Sequence, residues 1–228
     1  MFGSHGRRAY ARPSRISLMN VIWDMGGTLI DTYPEVDRTL AGAVWGEGVT
    51  AARLHEVAEL RQESIAHAIG VLSERHRVSP DALQRAYDEL KQRWSEHPAP
   101  LMDGAREVLA AVHGSGGLNL VATHRDRTSA EALVTALGIE IDDLVCAPDG
   151  LPRKPDPAMN LLLMDRHGLD PDAVLCVGDR PIDVLAAQAS GTRGVLLDPG
   201  ATTPPDALPE GCLVIADLRE LIGLARIR

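Results

Sequence analysis

"VIWDMGGTLIDT", residues 21–32, is the stretch from which the rest of the chain can be read. Val21, Ile22 and Trp23 form a short apolar run of the kind that makes a buried strand. The run ends on a carboxylate, Asp24. Gly26, Gly27 and Thr28 follow, and glycines let a main chain approach a ligand closely. A strand that runs into a glycine loop and presents a carboxylate there is an arrangement for handling phosphate.

Further apolar runs recur along the chain at 118–123 ("LNLVAT"), 143–147 ("DLVCA"), 173–178 ("AVLCVG") and 193–197 ("RGVLL"), with a weaker one at 212–216 ("CLVIA"). They are short, rich in Val, Leu and Ile, and bounded by Gly, Asp or Pro, as buried parallel strands are. Helical stretches separate them. Asp103 begins "DGAREVLAAVHG". Thr128 to Glu131 reads as a capping box. Asp156 stands as a cap before Pro157 at a first helical position. Pro181 opens a helix that ends near Gly191. This alternation predicts an α/β fold with a doubly wound parallel sheet. "GSGG" at 114–117 precedes a strand, so it reads as a helix-to-strand turn and not as a nucleotide loop.

Residues 33–100 break the alternation. Leu54, Val57, Ala58, Ile65, Ala68, Ile69 and Leu72 keep a helical period. Ser79-Pro80-Asp81 starts a further helix, and strand signals are missing. The expected organisation is a core of residues 19–32 and 101–228, with a helical insertion at 33–100 after the first strand. Residues 1–18 carry four Arg and no acid, without an apolar signal segment. They read as a disordered extension, with Met19 as a natural start.

The chain has 228 residues and a net charge of −9; without residues 1–18 it has 19 basic against 32 acidic residues, a net of −13. So acidic a body argues against nucleic-acid binding. No apolar run is long enough to span a bilayer. Cys146, Cys176 and Cys212 show no metal-ligand spacing and read as small buried hydrophobes in a reducing compartment. A cytoplasmic monomer or homodimer is expected.

Chemistry gathers at the strand ends, where parallel α/β sheets bind ligands. Asp24 follows the first strand, Thr123 ends the second and Lys154 lies in the loop after the third. Asp179 and Asp183 follow the fourth. Carboxylates of this kind supply a nucleophile and oxygen ligands for Mg²⁺. A hydroxyl and an ammonium hold a transferring phosphoryl group.

In these motifs the chain resembles the haloacid dehalogenase superfamily, most of whose members are phosphatases. The matching segments, in order, are Asp24-Met25-Gly26-Gly27-Thr28, Thr123 in "LVATH", Lys154-Pro155-Asp156-Pro157, and Gly178-Asp179 through Asp183. The likeness covers roughly residues 19–200 and is greatest to a bacterial subgroup of hydrolases. It implies a Rossmann-like core with a helical C1 cap that closes over the substrate. It also implies Asp24 as the nucleophile of an aspartyl-phosphate, with Mg²⁺ held by Asp24, the carbonyl of Gly26 and Asp179, and Asp183 assisting. Thr123 and Lys154 would hold the phosphoryl group, with Gly27 and Thr28 beside it.

The chain departs from the family at Gly26. Phosphatases of the superfamily carry an Asp there, which protonates the leaving oxygen and then activates water. Gly26 keeps the carbonyl but loses that proton transfer, worth roughly 10²–10⁴-fold. His124 is the candidate replacement, since its ordinary pKa suits acid–base work. Arg125, Arg153 and Arg180 offer charge for an anionic substrate. The first reading is an Mg²⁺-dependent hydrolase of a small phosphorylated metabolite. The second is a phosphate-binding or phosphoacceptor protein without turnover. A dehalogenase is disfavoured by the retained Mg²⁺ carboxylates. A phosphonate hydrolase rests on Lys91, the single lysine of residues 33–100, as a Schiff-base former.

Overall fold

The computed structural model describes residues 20–226; the expectations for residues 1–18 and Met19 lie outside them. Six parallel strands form one sheet: β1 (Asn20–Trp23), β2 (Leu118–Thr123), β3 (Asp143–Cys146), β4 (Val174–Gly178), β5 (Arg193–Leu197) and β6 (Leu213–Ile215). Their spatial order is β3-β2-β1-β4-β5-β6, so the doubly wound α/β expectation holds. The order reverses beside β1, between β2 and β4, and a crevice opens there at the carboxyl ends of the strands.

Alternation along each strand feeds two apolar layers. Val21, Trp23, Val121, Val177 and Val195 point into one. Ile22, Leu120, Ala122, Val145 and Cys176 point into the other, against Met159, Leu163 and Met164 of α7 (Ala158–His167). A sheet covered on both faces needs strands that are apolar throughout, and β1 is buried at all four positions. One polar pair sits inside the first layer. The Trp23 indole N–H donates to Asn119 Oδ1 at 3.0 Å, and Asn119 Nδ2 donates to the carbonyl of Leu109 at 3.0 Å. Leu109 belongs to α5 (Ala105–Gly114), so Asn119 ties helix, β2 and β1 together.

Between β1 and α5 the chain forms α1 (Tyr33–Trp45), α2 (Ala51–Glu63), α3 (Ile65–His76) and α4 (Pro80–Arg93). The helical period from Leu54 to Leu72 conceals a break at Ser64. That residue is extended (φ −171°, ψ 160°), and its hydroxyl caps α3 by accepting the N–H of His67 at 2.9 Å. The chain enters and leaves these helices side by side. Asp31 N–H donates to the carbonyl of Pro100, Met102 N–H to that of Leu29, and Ile30 pairs antiparallel with Leu101.

Three local expectations are corrected. The helix after β2, α6 (Arg127–Leu137), is capped by Asp126, whose Oδ1 accepts the N–H of Ser129, so the Thr128 box is not its start. Pro157 caps α7 instead of occupying its first turn, and Asp156 accepts the N–H of Ala158. Cys146 and Cys176 are buried, but Cys212 is half-buried because β6 begins one residue later and lies at the sheet edge. Pro181 does open α8 (Pro181–Ala189), and α9 (Glu220–Arg226) closes the described chain. Among the described residues no helix is long and apolar enough to cross a membrane.

Asn119→Ala should strand the Trp23 indole N–H in the core. The expected loss is about 1–3 kcal/mol in urea unfolding, without change in the arrangement at the strand ends.

Candidate active site

Asp24 leaves the end of β1 with its N–H bonded to the carbonyl of Val177 on β4 at 2.8 Å, which holds its side chain at the crevice. The loop after β3 brings Lys154 to it. Lys154 Nζ donates to Asp24 Oδ1 at 2.7 Å and to Asp183 Oδ1 at 2.8 Å, and all three side chains are almost fully buried. Burial works against the Lys154 charge, but Asp183 and Asp24 outweigh it and hold the ammonium well above its ordinary pKa. Burial also raises Asp183, yet Lys154 and Arg180 pull that carboxyl below its usual range. Asp24 is raised by burial, with Lys154 opposing.

Asp183 reaches Lys154 by folding back over Gly178. A Cβ at Gly178 would lie 2.2 Å from that of Asp183, so this turn requires glycine. Both Asp183 oxygens are taken, Oδ1 by Lys154 and Oδ2 by the N–H of Arg180 at 3.0 Å. Asp179 is similarly engaged. Thr28 Oγ1 donates to its Oδ1 at 3.2 Å and the Tyr33 hydroxyl to its Oδ2 at 2.6 Å. Burial, then Asp24 and Asp183, push Asp179 up to about 7. Gly27 has φ +91°, and a Cβ there would collide with the Tyr33 ring and Asp179. Gly27 and Thr28 thus lie beneath Asp179 and do not line the cavity.

That cavity has a volume of about 810 Å³. Asp24, Gly26, Thr123, His124, Lys154 and Arg180 line it from the strand ends. Arg61, Ser64, Gln84, Tyr87 and Lys91 line it from α2, α3 and α4. Thr123 is buried, and its hydroxyl accepts the N–H of Arg125 at 3.2 Å. His124 Nε2 accepts the N–H of Lys154 at 2.8 Å, which assigns the ring proton to Nδ1. Burial, then Lys154, Arg180 and Arg153, lower His124 to about 4. A neutral ring already accepting at Nε2 steadies the Lys154 loop and is a poor proton donor at neutral pH. Lys91 bonds Asp88 at 2.9 Å and Asp126 at 3.3 Å. Burial opposes its charge, but those carboxylates raise its pKa, so the free amine that a Schiff base requires is suppressed.

Tyr33 and Arg61 were not among the sequence candidates. Tyr33 follows the glycine loop directly and supports Asp179. The Arg61 guanidinium stacks 3.7 Å over the Tyr33 ring while pairing with Asp37 at 2.7 Å. Tyr33 could have been suspected from its place in the chain. Nothing in the sequence marks Arg61.

The chain belongs to the haloacid dehalogenase-like hydrolases. Residues 18–191 match that family. The chain is 32% identical to the N-acetylmuramic acid 6-phosphate phosphatase of Pseudomonas aeruginosa over 92% of its own length and 96% of the relative's. It is 30% identical to the phosphoglycolate phosphatase of Rhodospirillum rubrum, covering 88% of each. Among solved structures, a hydrolase from Streptococcus pneumoniae superposes with a TM-score of 0.63 at 25% identity, covering 90% of this chain and 98% of that one.

Two measurements check the site. Lys154→Met would leave Asp24 and Asp183 buried without their cation, and should cost about 3–5 kcal/mol of unfolding free energy. Proton NMR should show His124 as the neutral Nδ1–H tautomer from pH 8 down to about pH 5. Its lowered pKa means that the charged form is gained only as pH falls towards 4.

Proposed function

We propose that this hydrolase is a Mg²⁺-dependent phosphatase of small phosphorylated metabolites that works through an aspartyl-phosphate on Asp24. One observation carries the reading. A cavity-lining carboxylate at a strand end has one oxygen clamped by a buried ammonium, which leaves Oδ2 to attack phosphorus. The substrates named for the relatives, N-acetylmuramic acid 6-phosphate and phosphoglycolate, are small phosphorylated organic acids. They support the same substrate class here.

Residues 33–100 act in this proposal as a cap over a core of residues 19–32 and 101–228, because side chains from both line the cavity. Among the described residues no group of three or more His, Cys, Asp or Glu is arranged to hold a metal ion. The expected donors are two carboxylates and a carbonyl, all oxygen, as a hard dication requires. Asp179, driven up to about 7 by burial and its acidic neighbours, marks a cluster short of positive charge. Asp24, Asp179 and the carbonyl of Gly26 would hold Mg²⁺, with Asp183 acting through Lys154. When bound, the metal would offset repulsion between the carboxylates and the phosphoryl oxygens.

In the reaction, Asp24 Oδ2 bonds to phosphorus while the bond from phosphorus to the leaving oxygen breaks. Lys154 and Thr123 hold the phosphoryl oxygens. Water then attacks the aspartyl-phosphate at phosphorus, releasing phosphate and restoring the carboxylate. With glycine at position 26 and His124 held neutral, the leaving oxygen departs without a strong acid. Turnover therefore depends on leaving-group basicity.

Aryl and acyl phosphates should be hydrolysed faster than alkyl phosphates, by roughly the 10²–10⁴-fold that a general acid supplies. Acid-quenched enzyme should carry phosphate on Asp24, and Asp24→Asn should abolish both signals. Absence of turnover on every ester, with Asp24 still taking beryllofluoride, would support a phosphoacceptor instead.

A further inference from the structure

Arg125 is set apart from the other cations around the cavity. Arg61 is paired with Asp37, Lys91 with Asp88 and Asp126, and Lys154 with Asp24 and Asp183. Arg180 sits against Asp183, Asp24 and Asp179, which raise its pKa against the opposing effect of burial. Arg153 is exposed. Arg125 and Arg180 both lack a carboxylate within ion-pair distance among the described residues, and of the two Arg125 is the one held on a hydroxyl and an aromatic face. Its Nη1 donates to Ser129 Oγ at 2.9 Å, and its guanidinium lies 4.9 Å over the ring of the buried Trp94. Trp94 is held in turn by Glu35, which accepts its indole N–H at 3.0 Å.

Nη2 lies on the side of Gly26. A Cβ built on Gly26 would have Arg125 Nη2 at 4.0 Å and Thr32 Oγ1 at 3.1 Å, and no other described atom within 4 Å outside Met25 and Gly27. The space beside Gly26 is thus polar, close against the Thr32 hydroxyl and edged by a cation. An aspartate there would place its carboxylate on Arg125, and the two charges would neutralise each other. Glycine leaves both the space and the charge to a ligand.

We propose that Gly26 and Arg125 form a subsite for a carboxylate carried by the leaving group of the substrate. The proposal deepens the phosphatase reading by assigning substrate class to two residues. Arg125 Nη2 donates to the carboxylate while the phosphoryl group lies at Lys154 and Thr123. Gly26 then leaves Arg125 without a neighbouring carboxylate, besides lacking an acid.

Binding tests this independently of turnover. Calorimetry in Mg²⁺ would compare 3-phosphonopropionate, an uncleavable analogue of phosphoglycolate, with 3-hydroxypropylphosphonate, which replaces the carboxylate by a neutral group. The wild type should favour the carboxylate by about 10- to 100-fold, the range of a hydrogen bond to a charged group. Arg125→Gln should erase that preference while binding the neutral analogue as the wild type does, and Gly26→Asp should lose affinity for the carboxylate analogue more than for the neutral one. Equal affinities in the wild type would overturn the subsite, as would a preference that survives in Arg125→Gln. If Arg125→Gln binds neither analogue, Gly26→Asp decides, and an intact preference in it overturns the proposal. Turnover of an aryl phosphate, the ester class expected to react fastest, is measured alongside. A carboxylate preference without turnover upholds the subsite and sinks the phosphatase reading; turnover without preference does the reverse.

Discussion

The ammonium of Lys154, buried between Asp24 and Asp183, is the interaction on which the site depends. Three charged groups withdrawn from water are tolerated only if each meets an opposite charge at hydrogen-bonding distance. Every neighbouring choice serves that condition. Gly178 is glycine because Asp183 must fold across it. The N–H of Arg180 takes the second Asp183 oxygen, and His124 holds the backbone of Lys154. Asp24 is delivered by β1, which lies inside the sheet with β2 and β4 on its flanks.

Around this centre the charges divide into two kinds. Asp37 with Arg61, and Asp88 and Asp126 with Lys91, are structural pairs that fix α2 and α4 at the cavity wall. Arg125 is rigid but unmatched by any described carboxylate. In a chain where acids outnumber bases, an arginine fixed on an aromatic face without a carboxylate partner invites an external anion. Tyr33 joins the two kinds, with its hydroxyl on Asp179 and its ring under Arg61. A helix outside the sheet is thereby coupled to a carboxylate at the sheet's edge.

The strands were legible because a parallel strand buried on both faces is written as an unbroken apolar run, as in β1 and β4. The break at Ser64 was not, because the helical period continues in phase across it. Asp126 and Thr128 both precede the same helical stretch, and only the hydrogen bond from the Ser129 N–H to Asp126 separates them. Asp24, Thr123, Lys154 and Asp183 stand out because each ends or follows a strand, and the fold brings strand ends together. The Thr28 side chain looked equally well placed but turns inward to Asp179. Arg61 on Tyr33 and Arg125 beside Gly26 join residues far apart in sequence. Such contacts depend on how whole elements pack, and local pattern does not encode them.

The two chain segments bonded together at the root of α1–α4 carry a mechanical consequence. A segment joined by one chain can swivel about its tether. Here the outgoing chain at Leu29–Asp31 is bonded to the returning chain at Pro100–Met102 by Asp31 N–H to Pro100 and Met102 N–H to Leu29. Two bonded chains resist torsion because twisting would shear those hydrogen bonds. They yield most readily to flexing across the ribbon. Flexing of that kind is the displacement of these helices against the sheet that the two hydrogen bonds oppose least. It would carry Arg61, Tyr87 and Lys91 towards or away from Asp24 together, as a single arc.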